Sequence, residues 1–178
     1  GNGRLGAMAY GGVQEARFRL NEESLWAGRP VDIIPSDASE HLDEIREALF
    51  EGRPQRAHEL CKKYIGHRPT SYRSFQPLGT LLLEFPTRGN ATDYRRELRL
   101  RNGITRTSCR VDDTTYERES FASAPDDVLV FRLTAQGADT ITTNVSLNRS
   151  RDAKVRAEGD RRLVMEGQVV DVPPPKGP

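Results

Sequence analysis

The segment 20–28, with the sequence LNEESLWAG, contains the residue types best suited to binding a ligand. It carries the only tryptophan of the chain, Trp26, with Asn21 and Glu22 a few residues earlier. An indole face can pack against the C–H groups of a sugar, and an amide and a carboxylate can hydrogen bond to its hydroxyls. The same residues also suit a structural role, in which Trp26 fills a core and Asn21 caps a strand end. The residue types alone leave both interpretations open.

Histidine and cysteine are too few to predict a metal site or an activated nucleophile. The histidines are His41, His58 and His67, and the cysteines are Cys61 and Cys109. His58 and Cys61 lie three residues apart, as on one face of a helix, but a closed zinc site needs four ligands. Cys61 also belongs to an apolar helical stripe, where a free cysteine acts as a small hydrophobic residue. We therefore predict no metal site, and whether the two cysteines pair stays open.

Residues 1–6, with the sequence GNGRLG, match the glycine pattern of dinucleotide-binding proteins. That pattern binds a pyrophosphate only where a strand precedes it and a helix follows it. Here the next residues form a short apolar run that leads into Gly11 and Gly12, not into a helix. The segment is therefore predicted to be a glycine-rich turn, and no cofactor is expected.

The charge balance argues against two classes of protein. The chain of 178 residues has 27 Lys and Arg against 26 Asp and Glu, a net charge of +1. Nucleic-acid binders usually carry a basic excess, and membrane-surface proteins a polybasic segment. The basic run at 95–101 alternates arginine with Leu98 and Leu100, which predicts a strand whose arginines face water. No stretch approaches the roughly 18 apolar residues of a membrane span.

Alternation with a period of two predicts most of the elements. Ala16, Phe18 and Leu20 share one face of a strand, so residues 5–21 are predicted to form a hairpin that turns at the glycine pair 11–12. Asn102 and Gly103 predict a two-residue type I′ turn. Further strands are predicted at 81–85, 104–111, 116–121, 128–133, 141–147 and 162–170. Short strands with frequent turns are typical of an antiparallel β-sandwich.

A pair of helices interrupts the strands between residues 36 and 66. Leu42, Ile45 and Leu49 recur at helical spacing after a capping residue at 36 or 37, and Gly52 suits the C-terminal position. A second stripe begins after Pro54 and consists of Ala57, Leu60, Cys61 and Tyr64. The predicted fold is therefore mainly β, an antiparallel sandwich with an inserted helical pair.

Five segments in this order resemble the N-terminal domain of glycoside hydrolase family 95, the α-L-fucosidases. They are 1–8 (GNGRLGAM), 19–28 (RLNEESLWAG), 74–79 (SFQPLG), 94–98 (YRREL) and 116–126 (YERESFASAPD). The resemblance implies a sandwich of the N-terminal super-sandwich type, followed in the parent protein by an (α/α)6 barrel. It also implies inverting hydrolysis of terminal α-L-fucosyl linkages by groups in that barrel. No catalytic residue is therefore expected in this chain.

The resemblance implies a supporting role for the chain, with its own barrel domain and a fucosylated glycan as partners. Asn21, Glu22, Trp26 and Gln76 are the residues expected to contact substrate or to lock the domain interface. Residues 1–178 are expected to form an incomplete sandwich, poorly stable alone because missing strands leave open sheet edges. The parent protein is expected to be secreted, periplasmic or on the cell surface. Two alternatives remain: a sugar-binding sandwich that stands alone, and the matching domain of another sandwich-plus-barrel glycosidase or phosphorylase.

Overall fold

The computed structural model describes residues 1–27, 37–66, 74–86 and 89–170. The chain divides into two compact units, one formed by Gly1–Ala27 with Phe75–Pro178, and the other by Gly28–Ser74. The first unit holds the strands and the second the helices. No helix in the described ranges is long and apolar enough to cross a membrane.

The first unit is an antiparallel β-structure, as predicted. Its strands in the described part of the chain are β1 (Leu5–Tyr10), β2 (Glu15–Glu22), β3 (Gly79–Glu84), β4 (Ala91–Arg99), β5 (Ile104–Val111), β6 (Thr114–Ser123), β7 (Val128–Gln136), β8 (Asn144–Asn148), β9 (Ala153–Glu158) and β10 (Arg162–Gly167). One four-stranded sheet has the order β1-β2-β3-β8, and the other has the order β4-β5-β6-β7. The strands β9 and β10 pair as a separate hairpin.

The core lies between the two sheets, because each sheet turns an apolar face towards the other. Ala16, Phe18 and Leu20 of β2 are buried, which confirms the predicted face, and Leu83 of β3 joins them. Phe131 of β7 meets Phe18 edge to face, with ring centroids 4.5 Å apart. Such aromatic pairs add about 0.5–1.5 kcal/mol to the effect of burial. These contacts make the unit a β-sandwich.

The hairpin between β4 and β5 differs from the prediction. β4 ends at Arg99, which pairs with Ile104, so the loop has four residues rather than the two of a type I′ turn. The amide of Gly103 donates to the Arg99 carbonyl, and Gly103 adopts a positive φ of 67° that suits glycine. Leu100 therefore lies in the loop and is 87% exposed, and Leu98 is also exposed. Leucine alternation in this run does not mark a buried face.

Four aspartates bend the backbone of the sandwich. Asp93, Asp112, Asp127 and Asp152 adopt positive φ values between 49° and 54°. Asp and Asn enter this left-handed region more readily than most residues with a side chain, because their short polar groups hydrogen bond locally. Asp112 opens the two-residue turn between β5 and β6, and Asp93 sits at an irregularity in the register of β4.

The hairpin β9–β10 packs against the start of β3. A side chain at Gly79 would lie 2.8 Å from the Met165 methyl group and 2.9 Å from the Asn148 carbonyl, so only glycine fits there. The predicted strand 162–170 ends at Gly167, and the predicted strand 141–147 begins only at Asn144. Strand β9 has no counterpart among the predicted strands.

The second unit is the predicted helical pair. It consists of α1 (Leu42–Phe50) and α2 (Pro54–Leu60), with a 3₁₀ turn at Ala38–His41 and a π turn at Cys61–Ile65. Its core is formed by Ile45, Ala48, Ala57 and Leu60, against which Cys61 and Tyr64 pack.

Three details of the helical unit correct or refine the prediction. Leu42 and Leu49 lie outside the buried set, and Leu49 is 54% exposed, because the buried stripe of α1 runs through positions 45 and 48. Asp37 precedes the 3₁₀ turn without making a side-chain capping bond, and residue 36 lies outside the described residues. Gly52 has a positive φ of 73°, as expected for a residue that ends a helix.

Candidate functional site

The four residues predicted as a site lie on two neighbouring backbone segments at one end of the sandwich. The chain leaving β2 runs antiparallel to the chain entering β3, because the Leu78 amide donates to Leu20 and the Gln76 amide donates to Leu25. An isolated β-bridge then joins Trp26 to Phe75. The fold places the four predicted residues on these two paired segments, and we call them the neck cluster: Asn21, Glu22, Trp26 and Gln76.

Trp26 is the exposed member of the neck cluster. Its side chain is 54% exposed, so it does not fill a core, which corrects one of the two interpretations left open. The ring meets Phe75 edge to face at 5.4 Å between centroids, and the indole N–H donates to the Glu23 carbonyl at 3.0 Å. These contacts fix one edge of the indole, while roughly half of its surface remains open to water. A held aromatic ring with an open surface can bind a sugar or another apolar surface.

Hydrogen bonds and an ion pair hold the Glu22 side chain in place. Its carboxylate accepts from the Ser24 hydroxyl at 2.5 Å and amide at 2.9 Å, and pairs with Arg4 at 3.3 Å. The Ser24 hydroxyl is the main cause that lowers the pKa of Glu22, and Arg4 adds to it. A carboxyl that is kept ionised and hydrogen-bonded is a poor general acid. Glu22 therefore suits a structural role.

The segment 1–4 completes this network. Asn2 donates to the Ser123 carbonyl at 2.8 Å and accepts from the amides of Arg4 and Leu5. Arg4 also pairs with Asp127 at 2.6 Å, in the turn between β6 and β7. The chain continues into β1 and not into a helix, so the structural context that a dinucleotide site requires is missing at residues 1–6.

Asn21 lies within β2, where it is paired with Gly6 of β1. The strand ends one residue later, at Glu22. Asn21 has the same parity as Arg17 and Arg19, and therefore points to the side of the sheet away from the core.

Gln76 is the buried member of the neck cluster, with 7% exposure. Its side-chain oxygen accepts from Arg149 at 3.0 Å. Arg149 also donates to the Leu78 carbonyl at 3.2 Å and pairs with Asp152 at 3.0 Å. Hydrogen bonds from Arg149, followed by the amide of Val170, lower the pKa of Asp152. Gln76 therefore ties the segment before β3 to the connection between β8 and β9.

Arg149 and Asp152 were not predicted from the sequence. Their side chains are nearly buried, with 12% and 4% exposure, although both are charged. Buried charges of this kind are paired. The spacing of three residues between an arginine and an aspartate is common in any polar loop, so it carries no signal by itself.

The histidines and cysteines do not assemble into a site in the part of the chain that the structure describes. No group of three or more His, Cys, Asp or Glu residues there could hold a metal ion. The His41 ring stacks on Tyr64 with centroids 3.5 Å apart, and Cys61 packs against the helical core. Cys61 and Cys109 are both free thiols. His67 lies outside the described residues.

The neck cluster can bind and position, but it contains little that can transfer a proton. Glu22 is its only ionisable member, and that carboxylate is already satisfied by Ser24 and Arg4. An inverting glycosidase needs an acid and a base on opposite faces of the sugar, roughly 6.5–9.5 Å apart. Trp26 therefore suits a binding role, whereas Gln76 and Glu22 suit a positioning role.

Comparison with known proteins gives one family match and several relatives. The family model described as "Glycosyl hydrolase family 65, N-terminal domain" matches residues 1–177. "Alpha-L-fucosidase 2" of Arabidopsis thaliana is 34% identical over 151 residues, which cover 83% of this chain and 18% of that protein. "Probable alpha-fucosidase A" of Aspergillus niger is 31% identical over 145 residues, 78% of this chain and 18% of that protein. A protein of the same name from Aspergillus oryzae is 30% identical over 139 residues, 75% of this chain and 19% of that protein. The chain spans about a fifth of the length of these relatives.

Proposed function

Because the chain belongs to the family of glycosyl hydrolase family 65 N-terminal domains, we propose that it is the non-catalytic N-terminal portion of an inverting α-L-fucosidase of family 95. The similarity of three α-fucosidases over 75–83% of the chain carries this proposal. The parent protein hydrolyses terminal α-L-fucosyl linkages of glycans. Its catalytic groups lie in an (α/α)6 barrel that follows the sandwich.

The role of this chain in that enzyme is to support the barrel and to form part of the wall of its pocket. Trp26 is the best candidate for the wall, because its indole is fixed by Phe75 and Glu23 while about half of it is open. Asn21 points away from the sandwich core and supplies a further polar group. Glu22 and Gln76 act indirectly, because they fix the backbone that carries Trp26.

The experiment for the activity uses the full-length protein and a 2′-fucosylated oligosaccharide. Release of fucose is followed by proton NMR in the first minutes, before the anomers equilibrate. Inversion at an α-linkage gives β-L-fucose first, whereas retention gives the α-anomer first. The β-anomer supports the proposal, and either the α-anomer or the absence of release contradicts it.

The family description favours one alternative function. The matching model is described by family 65 rather than family 95, so the parent protein could instead be another sandwich-plus-barrel glycosidase or a phosphorylase acting on α-glucosides. Cleavage of an α-glucosyl disaccharide that depends on inorganic phosphate, without release of fucose from the first substrate, would establish this second function.

A further inference from the structure

A cavity lies at the other end of β2 and β3 from the neck cluster. It has a volume of about 190 Å³ and opens between the two sheets. One water needs roughly 10–15 Å³ on the same measure, so the cavity has room for a small molecule. Its apolar walls include Val13, Phe85 and Leu133, and its polar walls include Tyr116 and Arg118.

Arg118 is an unusual residue to find in such a wall. It is 9% exposed and lies on β6, within one of the five segments that resemble the fucosidases. One end of its guanidinium donates to the Gly12 carbonyl, and its central carbon lies 5.0 Å from the Phe85 ring centroid. The Nη1 atom is buried and has no hydrogen-bond partner among the described residues.

The charge of Arg118 is not balanced by the described part of the chain. No carboxylate there lies within 4.0 Å of its guanidinium, although most other arginines of the sandwich are paired. Burial lowers the pKa of Arg118, but a guanidinium stays charged at neutral pH. A buried charge without a partner is strongly destabilising, so the site favours an anion.

The other ionisable groups around the cavity do not supply that anion. Burial raises the pKa of the Cys109 thiol and of the Tyr116 phenol, so both are neutral near pH 7. Tyr116 donates its hydroxyl to Asp139 at 3.4 Å, and Asp139 is an exposed residue at the rim. Glu117 also lines the cavity, but its carboxylate pairs with Arg106. Arg118 therefore lacks a counter-ion among the described residues, in a wall that is otherwise formed by apolar side chains, threonines and the neutral Cys109 and Tyr116.

We propose that this cavity binds a carboxylate group, which pairs with the guanidinium of Arg118 while a short hydrocarbon part contacts the apolar wall. The planar fork of arginine matches a carboxylate in two parallel hydrogen bonds. Such a carboxylate comes either from a free short-chain acid or from an Asp or Glu side chain of the parent protein outside this chain. The chemistry at Arg118 is the same for both sources.

Binding of a free acid is tested by equilibrium dialysis of the full-length protein with radiolabelled butyrate. We expect about one butyrate per chain, competed by acetate but not by 1-butanol, which lacks the charge. Arg118→Met should weaken binding at least tenfold, and Arg118→Lys should weaken it less because the charge is kept. Arg132→Met is the matched control, since Arg132 is an exposed arginine on the neighbouring strand. The 1-butanol comparison tests the role of charge in the native protein even if Arg118→Met fails to fold.

A crystal structure of the full-length protein, grown without added carboxylate, separates the two sources. If an Asp or Glu side chain occupies the cavity beside Arg118, butyrate should not bind until that side chain is changed to alanine. If the cavity holds no protein carboxylate, butyrate should bind as described above. The proposal is overturned if no carboxylate lies beside Arg118 and butyrate fails to bind, or binds Arg118→Met as well as the native protein.

Discussion

The contact between Trp26 and Phe75 gives the sharpest prediction, because both ends of the inserted unit 28–74 leave the sandwich at this pair. Replacing Trp26 by alanine removes an indole that is a little under half buried. A tryptophan side chain can bury up to about 250 Å², so roughly 100 Å² of apolar contact is lost. At about 25 cal/mol per Å² this corresponds to about 2–3 kcal/mol of local stability.

The assay is hydrogen exchange in the full-length protein, read at the amides of Gln76 and Leu78. These amides donate to the carbonyls of Leu25 and Leu20, so they exchange when the segment after β2 separates from the segment before β3. A loss of about 2–3 kcal/mol accelerates their exchange roughly 30- to 150-fold, since 1.4 kcal/mol is about a factor of ten. Phe75→Ala should give a similar acceleration. Phe50→Ala, at a residue that is 89% exposed, should leave these amides unchanged.

The same variants distinguish a purely structural role of Trp26 from a binding role. If Trp26 also forms part of the pocket wall, Trp26→Ala should lower kcat/KM for the fucosylated substrate at least tenfold, while Phe75→Ala lowers it far less. Equal losses of activity in the two variants would refute the binding role. An acceleration of less than threefold in the exchange of the Gln76 amide in Trp26→Ala would refute the stabilisation of these paired segments by Trp26.

Three further predictions concern the sandwich and the two cysteines of the chain. Phe18→Ala should lower the free energy of unfolding of the sandwich by about 3–5 kcal/mol in urea, against less than about 0.5 kcal/mol for Phe50→Ala, because Phe18 is buried and Phe50 is exposed. Asp152→Asn keeps a residue that tolerates the positive φ, and it should be less stable than the native protein above about pH 5. The pKa of Asp152 in the folded protein is below its ordinary value of 3.8, so the difference in stability between the two proteins should disappear as the pH falls through that folded pKa. Acid unfolding titrations measure this difference, and a difference that is the same at all pH values would contradict the role of the ion pair. Iodoacetamide should label Cys109 far more slowly than Cys61, because burial encloses the Cys109 thiol and raises its pKa; equal rates, measured by mass spectrometry, would show that the sheets open easily.

Local pattern was sufficient where one face of an element is buried by its nearest neighbours. The alternation of Ala16, Phe18 and Leu20 predicted both the strand and its inward face, and the stripe from Ala57 to Tyr64 predicted the core of the helical pair. The pattern was insufficient where an element buries little of its surface. Strand β9, with the sequence AKVRAE, has residues that favour helices, and its pairing with β10 overrides that preference. Leu98 and Leu100 alternate as a buried strand does, yet the edge strand β4 ends beside them.

The sequence by itself singled out Asn21, Glu22, Trp26 and Gln76 as expected site residues, because they lie in segments that resemble one family. Only the tertiary structure decided which partners these side chains find, since Glu22 pairs with Arg4 and Gln76 accepts from Arg149, partners up to 73 residues away along the chain. The same is true of Arg118, which lies in a predicted strand but whose lack of a counter-ion among the described residues is visible only in the fold. A charge is destabilising or stabilising according to the atoms packed around it, and only the fold determines those atoms.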